Sequence, residues 1–170
     1  MNRKQMEQLA CLIEEEKNNL YRYACYRLGD EAEAEDVLQE MFLALCGKEH
    51  LINNVENLRN YLYRTLTNQC GMNLRQRKKE PEKMKMEDWS QLQVQDTEPQ
   101  NFEQEFLLID HLLSTIPMEQ SEVIRLHIHG ERTFTDIASI LDIPLSTAKA
   151  RYHYGIEKLR NGLRMNKLIQ

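Results

Sequence analysis

The sequence predicts an all-α fold of two small helical domains joined by an acidic linker, and three observations support it. Apolar residues recur at steps of three and four along nearly the whole chain, with no sustained alternation of period two. Only six glycines and four prolines interrupt 170 residues, too few punctuators for a strand-and-turn architecture. Between Glu80 and Gln100 the pattern lapses into EPEKMKMEDWSQLQVQDTEPQ, which is polar and acidic and holds two of the four prolines. A segment with no apolar stripe reads as a linker, so domains are expected at 1–80 and 105–170 with the linker at 81–104. Trp89, Leu92 and Val94 are its apolar exceptions, either docking on a domain or partner or lying loosely packed.

Helices are expected at about 5–28, 31–46, 55–78, 102–115, 118–129, 134–141 and 146–163. Gly29 stands where a left-handed C-terminal cap belongs, and Asp30 opens the next helix with Glu33 three residues on. That second helix buries Val37, Leu38, Met41, Phe42 and Leu45. The third buries Leu58, Tyr61 or Leu62, Thr65, Leu66, Cys70 and Leu74, and ends in RQRKK. Pro117 suits a helix start, and Gly130 is expected to end its helix with a left-handed cap as Gly29 does.

Thr133 then caps a short helix, with Asp136 placed to close a capping box and Ile137, Ala138, Ile140 and Leu141 as the buried stripe. Asp142-Ile143-Pro144 breaks it, because proline has no amide hydrogen and pushes its predecessor out of the α region. Ser146 is expected to cap the final helix. There Ala148, Tyr152, Gly155, Ile156, Leu159 and Leu163 share the inner face. The outer face carries Thr147, Ala150, Tyr154 and Glu157 at its centre, flanked by Lys149, His153 and Arg160 on one side and Arg151 and Lys158 on the other. Two helices about a tight turn, the second basic on its outer face, form the layout of a helix-turn-helix whose second helix enters a major groove about 12 Å wide. An amphipathic surface helix with solvated cations shares the pattern.

A net charge of −5 does not oppose nucleic-acid binding once its distribution is considered. Residues 81–105 hold seven acids against two lysines, while Leu145–Gln170 holds six bases against Glu157 alone. Local potential governs binding. No segment approaches the 18 or so apolar residues of a membrane span, and the first twenty residues lack the apolar centre of a signal peptide. The chain is therefore expected in the cytoplasm, without membrane insertion. Cys11, Cys25, Cys46 and Cys70 lack C-x-x-C spacing and sit beside apolar neighbours, which suits buried reduced thiols better than a metal site or disulfides. His127 and His129, two apart, turn to different sides of a helix. No glycine-rich phosphate loop, metal-ligand spacing or nucleophile with a base in context marks an enzyme.

Two further signals lie in the first domain. Asp30, Glu31, Glu33, Glu35, Asp36 and Glu40 place six acids and no base in eleven residues. The helix dipole accounts for the first of them, and an acidic surface for a basic partner accounts for Asp36, Gln39 and Glu40. Arg75, Arg77, Lys78 and Lys79 either complement a helix C-terminus or, beside Tyr61, Tyr63 and Asn68, suit unwound nucleic acid, where aromatics stack bases and cations hold the backbone.

Taken together, the chain resembles bacterial RNA polymerase sigma factors of the extracytoplasmic-function (ECF) group, which keep two sigma domains, regions two and four, joined by a variable linker. AEAEDVLQEMFLAL follows that family's A-E-D-x-x-Q-E-x-F pattern. NYLYRTLTNQCGMNLRQRKK is similar to its W-L-x-x-I-A-x-N segment with a basic helix end. LLSTIPMEQSEVIRLHIHGERTFTDIASILDIPLSTAKARYHYGIEKLR resembles the region-four helices with their G-T-V-K-S-R recognition helix. The resemblance implies that Asp36, Gln39 and Glu40 bind core RNA polymerase. It also implies that Tyr61, Asn68, Arg75, Arg77 and Lys78 meet the promoter's minus-ten element. Ser146, Thr147, Lys149, Ala150, Arg151, His153 and Tyr154 would meet the minus-thirty-five element.

The implied function is binding core polymerase and directing promoter recognition, DNA opening and transcription initiation for a specific regulon. No catalytic activity, cofactor, metal or small-molecule substrate is expected. Many relatives are held by an anti-sigma factor, so such a partner is among the expectations. Tyr61 replaces a frequent tryptophan and Met72 a usual aspartate. Asp142 and Ser146 replace common glycines, and Tyr154 and Ile156 replace arginines. An ordinary helix-turn-helix regulator, which usually dimerises on a palindrome, would leave the acidic helix and the RQRKK end unexplained.

Overall fold

The three-four periodicity becomes seven helices among the described residues, which are 3–48, 55–79 and 102–168 of a computed structural model of the chain. They are α1 (Arg3–Leu28), α2 (Glu31–Cys46), α3 (Val55–Lys79), α4 (Phe102–Ser114), α5 (Met118–Ile128), α6 (Phe134–Leu141) and α7 (Leu145–Leu168). The expected linker, with Trp89, Leu92 and Val94, lies outside the described residues as far as position 101. No described helix is long and apolar enough to cross a membrane.

α1, α2 and α3 pack on one another through Leu20, Tyr23, Ala24, Leu28, Ala34, Met41, Leu45, Leu62, Leu66 and Cys70. The corner between α1 and α2 follows from two residues. Gly29 takes φ +74, which a side chain resists, and its N–H donates to the Cys25 carbonyl at 2.7 Å. Asp30 then caps α2, its carboxylate accepting the Glu33 N–H at 2.9 Å. In the C-terminal half α5 is the central helix, with every residue from Ser121 to Leu126 buried. α4, α6 and α7 pack around it.

Five expectations need correction. Cys11 and Cys46 are exposed, whereas Cys25 and Cys70 are buried: Cys11 points away from the Leu9–Leu12 stripe, and Cys46 lies at the end of α2, past Leu45. Burial pushes the Cys70 thiol up to about 12, so it stays protonated. At the end of α5 the left-handed residue is Glu131 (φ 52), not Gly130, and the Glu131 carboxylate is held by Asn19 and Arg22. α7 begins one residue before Ser146, because the Pro144 carbonyl accepts the Ala148 N–H at 3.0 Å. Finally, α7 runs on to Leu168, past the expected end at 163, and Leu163, expected on its inner face, is exposed because it lies beyond the last contacts with α5.

The two halves share one core, in which Val123, Leu126, Ile137, Ile140 and Ala148 join the N-terminal cluster. Charged groups cross the seam as well. Glu16 of α1 is 5% exposed, accepts from Tyr63 Oη at 2.8 Å and from Arg132 Nη2 at 3.1 Å, and forms an ion pair with Arg59, whose Nε lies 2.7 Å away. Tyr63 Oη also lies 3.2 Å from the Gly130 carbonyl, and the Arg132 guanidinium stacks over the Tyr63 ring at 4.6 Å. Farther along α1, Arg27 Nε meets Glu122 Oε2 at 3.0 Å, and Tyr23 Oη donates to Glu122 Oε1. Burial, followed by Glu122, raises the Tyr23 hydroxyl pKa well above its usual range. Burial opposes the Arg27 charge, but Glu122 and Tyr23 outweigh it and hold the guanidinium protonated.

Candidate nucleic-acid and polymerase interfaces

The placement of α7 starts with α6. Thr133 and Asp136 form the capping box, the Thr133 hydroxyl accepting the Asp136 N–H at 3.2 Å while the Asp136 carboxylate reaches back to the Thr133 N–H. Asp142 ends α6 in the left-handed conformation, φ 54, which aspartate tolerates better than most residues. The turn then closes through the Ile143 N–H to the Ala138 carbonyl at 3.0 Å. An aromatic group fastens the three helices, with His127 stacked on Phe134 at 4.6 Å and Tyr152 meeting both edge-on. His127 Nδ1 donates to the Arg132 carbonyl at 2.8 Å.

α7 lies close against α5 at Gly155, where a Cβ would come within 2.7 Å of Ile124 Cδ1. Ile156, at a usual arginine position, is half-buried and packs on the small cluster of Leu113, Ile116 and Ile124. The inner face is thereby fixed, and the outer face follows. Ser146, Lys149, His153 and Tyr154 are exposed, Tyr154 by 56%, while Thr147, Ala150 and Arg151 are half-buried.

On α3, Tyr61, Asn68, Arg75 and Lys78 fall at steps of seven, seven and three, which on an α-helix is one strip. Asn68, Arg75 and Lys78 are exposed and Tyr61 is half-buried, with Lys48 Nζ 3.4 Å from its hydroxyl. Arg75 Nε donates to the Gly71 carbonyl at 3.2 Å, which leaves its other nitrogens available. Arg77 is not part of this strip. Two residues from Arg75, it points across the helix, donates to the Leu28 carbonyl at 2.8 Å and pairs with Glu33. Tyr63, expected to help stack bases, is fully buried on Glu16 and Gly130 instead.

α2 divides its acids by duty. Asp30 and Glu33 are used internally, at the cap and on Arg77. Asp36, Gln39 and Glu40 are exposed, and Leu43, 73% exposed, continues their strip at the next turn.

Comparisons with known proteins match this arrangement. The family model for sigma-70 region 2 matches residues 12–80, and that for sigma-70 region 4 matches residues 112–161. The two matches fall on the α1–α3 half and on the half that ends in the helix-turn-helix. The chain belongs to the ECF sigma factors. The ECF RNA polymerase sigma factor SigW of Bacillus subtilis (strain 168) is 29% identical over 91% of this chain and 88% of that protein. The sigma factor RpoE of Bartonella quintana, solved with the anti-sigma factor NepR, shares the fold with a TM-score of 0.65 at 19% identity, over 96% of this chain and 98% of that one.

As a sigma factor the chain binds core RNA polymerase and promoter DNA and takes part in promoter-specific transcription initiation. Its sequence pointed to the exposed strips but not to Arg64. That residue, on the α3 strip of this sigma factor, donates to the Ser139 and Ile140 carbonyls and so satisfies the C-terminal end of α6. Nothing in the local sequence of Arg64 distinguishes it from a solvated cation. For Glu16 there was a signal, because a carboxylate interrupts the stripe Leu9, Leu12, Glu16, Leu20, Tyr23 and buried carboxylates need partners.

Proposed function

We propose that this sigma factor divides promoter recognition among three exposed strips and works in the cytoplasm, with domains at 1–80 and 105–170. Asp36, Gln39 and Glu40 meet a basic surface of core polymerase. Tyr61, Asn68, Arg75 and Lys78 hold unwound minus-ten bases and backbone, while Arg77 positions α3 against the α1–α2 corner. Ser146, Thr147, Lys149, Ala150, Arg151, His153 and Tyr154 read the minus-thirty-five duplex for a specific regulon.

The observation that carries the assignment is the orientation of α7. Its apolar face is locked on α5 at Gly155, so its polar and basic residues are directed outward together. Phosphate contacts by Lys149 and Arg151 would set the register, and Ser146, Ala150 and Tyr154 would meet base edges. DNA opening follows from capture, since bases bound on the α3 strip are withdrawn from re-pairing. The relative solved with an anti-sigma factor supports a partner of that kind for this chain too.

Run-off transcription from candidate promoters with purified core polymerase, with and without the chain, tests this function. Initiation that depends on the chain is expected. Polymerase-independent binding to a palindrome without initiation would overturn it.

A further inference from the structure

One cleft gathers hydrogen-bond donors that the fold leaves largely unused. Thr67 and Arg75 of α3, Arg151 of α7, and Met118 and Glu119 in the first turn of α5 are among the residues that line it. Its volume of about 290 Å³, room for roughly ten water molecules, stands at the lower end of cavities that hold small ligands. A duplex whose major groove alone is about 12 Å wide does not fit there.

The charges of the lining do not cancel. Arg27 and Glu122 answer each other, with Arg27 Nε 3.0 Å from Glu122 Oε2 and Tyr23 Oη donating to the same carboxylate. Arg75 commits its Nε to the Gly71 carbonyl at 3.2 Å and keeps its other nitrogens. Met72, one turn before it, offers it no carboxylate. Arg151 is half-buried and makes no hydrogen bond or ion pair among the described residues. Glu119, which is exposed, is the remaining carboxylate of the lining. Two guanidinium groups thus stand against one carboxylate, and the balance is positive.

Two uncharged features point the same way. Thr67 Oγ1 is buried without a hydrogen-bond partner among the described residues, and a buried hydroxyl is costly until a ligand satisfies it. The N-terminus of α5 has no side-chain cap, because Pro117 stands at the cap position. Its first amides and the positive end of its dipole are left at the edge of the cleft, an arrangement that favours an anion.

A ligand for these groups carries several anionic oxygens and reaches from α3 to α7. Two linked phosphoryl groups do so, and guanidinium forks pair with phosphate oxygens two at a time. We infer that the cleft is a binding site for a short oligophosphate, either free diphosphate or the diphosphate end of a nucleotide. One phosphoryl group lies on Arg75 and the Thr67 hydroxyl, the other on Arg151 and the α5 N-terminus. The site stands on the cleft alone and needs no DNA role for α3 or α7.

The test is isothermal titration calorimetry of the full chain with sodium diphosphate, at an ionic strength held constant with sodium chloride. Saturable one-to-one binding is expected, with orthophosphate weaker by about tenfold. Thr67→Val and Arg151→Ala should each weaken diphosphate by about fivefold or more, while Thr67→Ser, which restores the hydroxyl, should bind as wild type does. Lys158→Ala, an exposed cation of α7 outside the cleft, should change affinity by less than about twofold. A nucleoside diphosphate that binds as tightly as free diphosphate assigns the site to a nucleotide's phosphate end; weaker binding assigns it to the free anion. Any of four results overturns the site: no saturable heat, orthophosphate as tight as diphosphate, wild-type affinity in both Thr67→Val and Arg151→Ala, or a loss in Lys158→Ala equal to that in Arg151→Ala. The last would mark a general attraction of anions to α7. Arg151→Ala, at a half-buried position, carries the test if Thr67→Val fails to fold.

Discussion

The seam between the halves and the outer face of α7 use the same kinds of residue in opposite surroundings. At the seam Glu16, Glu122 and Arg132 are each less than a tenth exposed, and their partners are fixed by geometry. On α7 Lys149, His153 and Lys158 stand in solvent. A buried charge acts on stability, because removing its partner leaves it desolvated and unpaired. An exposed cation contributes little to folding and much to a polyanionic partner, through released counterions. Mutations in the two places should therefore separate cleanly in what they change.

The largest expected effect is at the centre of the seam. Glu16→Gln removes the charge that Arg132 and Arg59 share and should cost about 3–5 kcal/mol in urea denaturation; a loss below about 1 kcal/mol would erase the contrast with α7. Acid should act on the same seam. His129 stacks on Tyr26 at 4.1 Å, and burial, with Arg125 and Arg22 adding repulsion, lowers its pKa from 6.5 to about 4. Between those values the unfolded chain takes up a proton that the packed chain refuses, so this contribution is full above pH 6.5 and lost as pH falls towards 4. The slope should approach on the order of 1 kcal/mol per pH unit. Thermal melts of wild type and His129→Gln measure it, and equal slopes would remove His129 as the cause.

Smaller effects sharpen the other side of the comparison. Gly155→Ala overpacks the α5–α7 contact, with an expected loss of about 1–3 kcal/mol and weaker upstream contact by the polymerase-bound chain. Lys149→Ala should leave stability within about 0.5 kcal/mol while lowering the salt slope of duplex binding by roughly one; an unchanged slope excludes a phosphate contact. Replacing Asp36 and Gln39 together by alanine should weaken polymerase binding, read by competition for core enzyme, and leave both DNA strips and the melting curve as they were.

What the sequence revealed follows the range of each interaction. Helix positions, the Thr133–Asp136 box, the Gly29 corner and the inner face of α7 from Ala148 to Leu159 depend on residues within a few positions of one another and were legible; Leu163 keeps the period but lies past the residues that cover that face. Arg77 and Tyr63 were not. Both lie in a basic, aromatic stretch that composition associates with nucleic acid, but Arg77 is claimed by Leu28 and Glu33, and Tyr63 by Glu16 and Gly130. Those partners are 44 to 67 positions away, beyond the reach of any local pattern. The acids of α2 show the same limit, since Glu33 and Asp36 read alike until Arg77 takes one of them.

Leu126 and Ile140 complete a core that begins at Leu9, and this bears on the order in which the protein is made. When the ribosome has released α3, Glu16 and Tyr63 have no C-terminal half to meet, and about 60 more residues must emerge before Ile140 is present. At about 5–20 residues per second that is an interval of several seconds. During that interval the N-terminal cluster stands without Val123, Leu126, Ile137 and Ile140, so its apolar face stays open to solvent or a chaperone until the C-terminal half arrives.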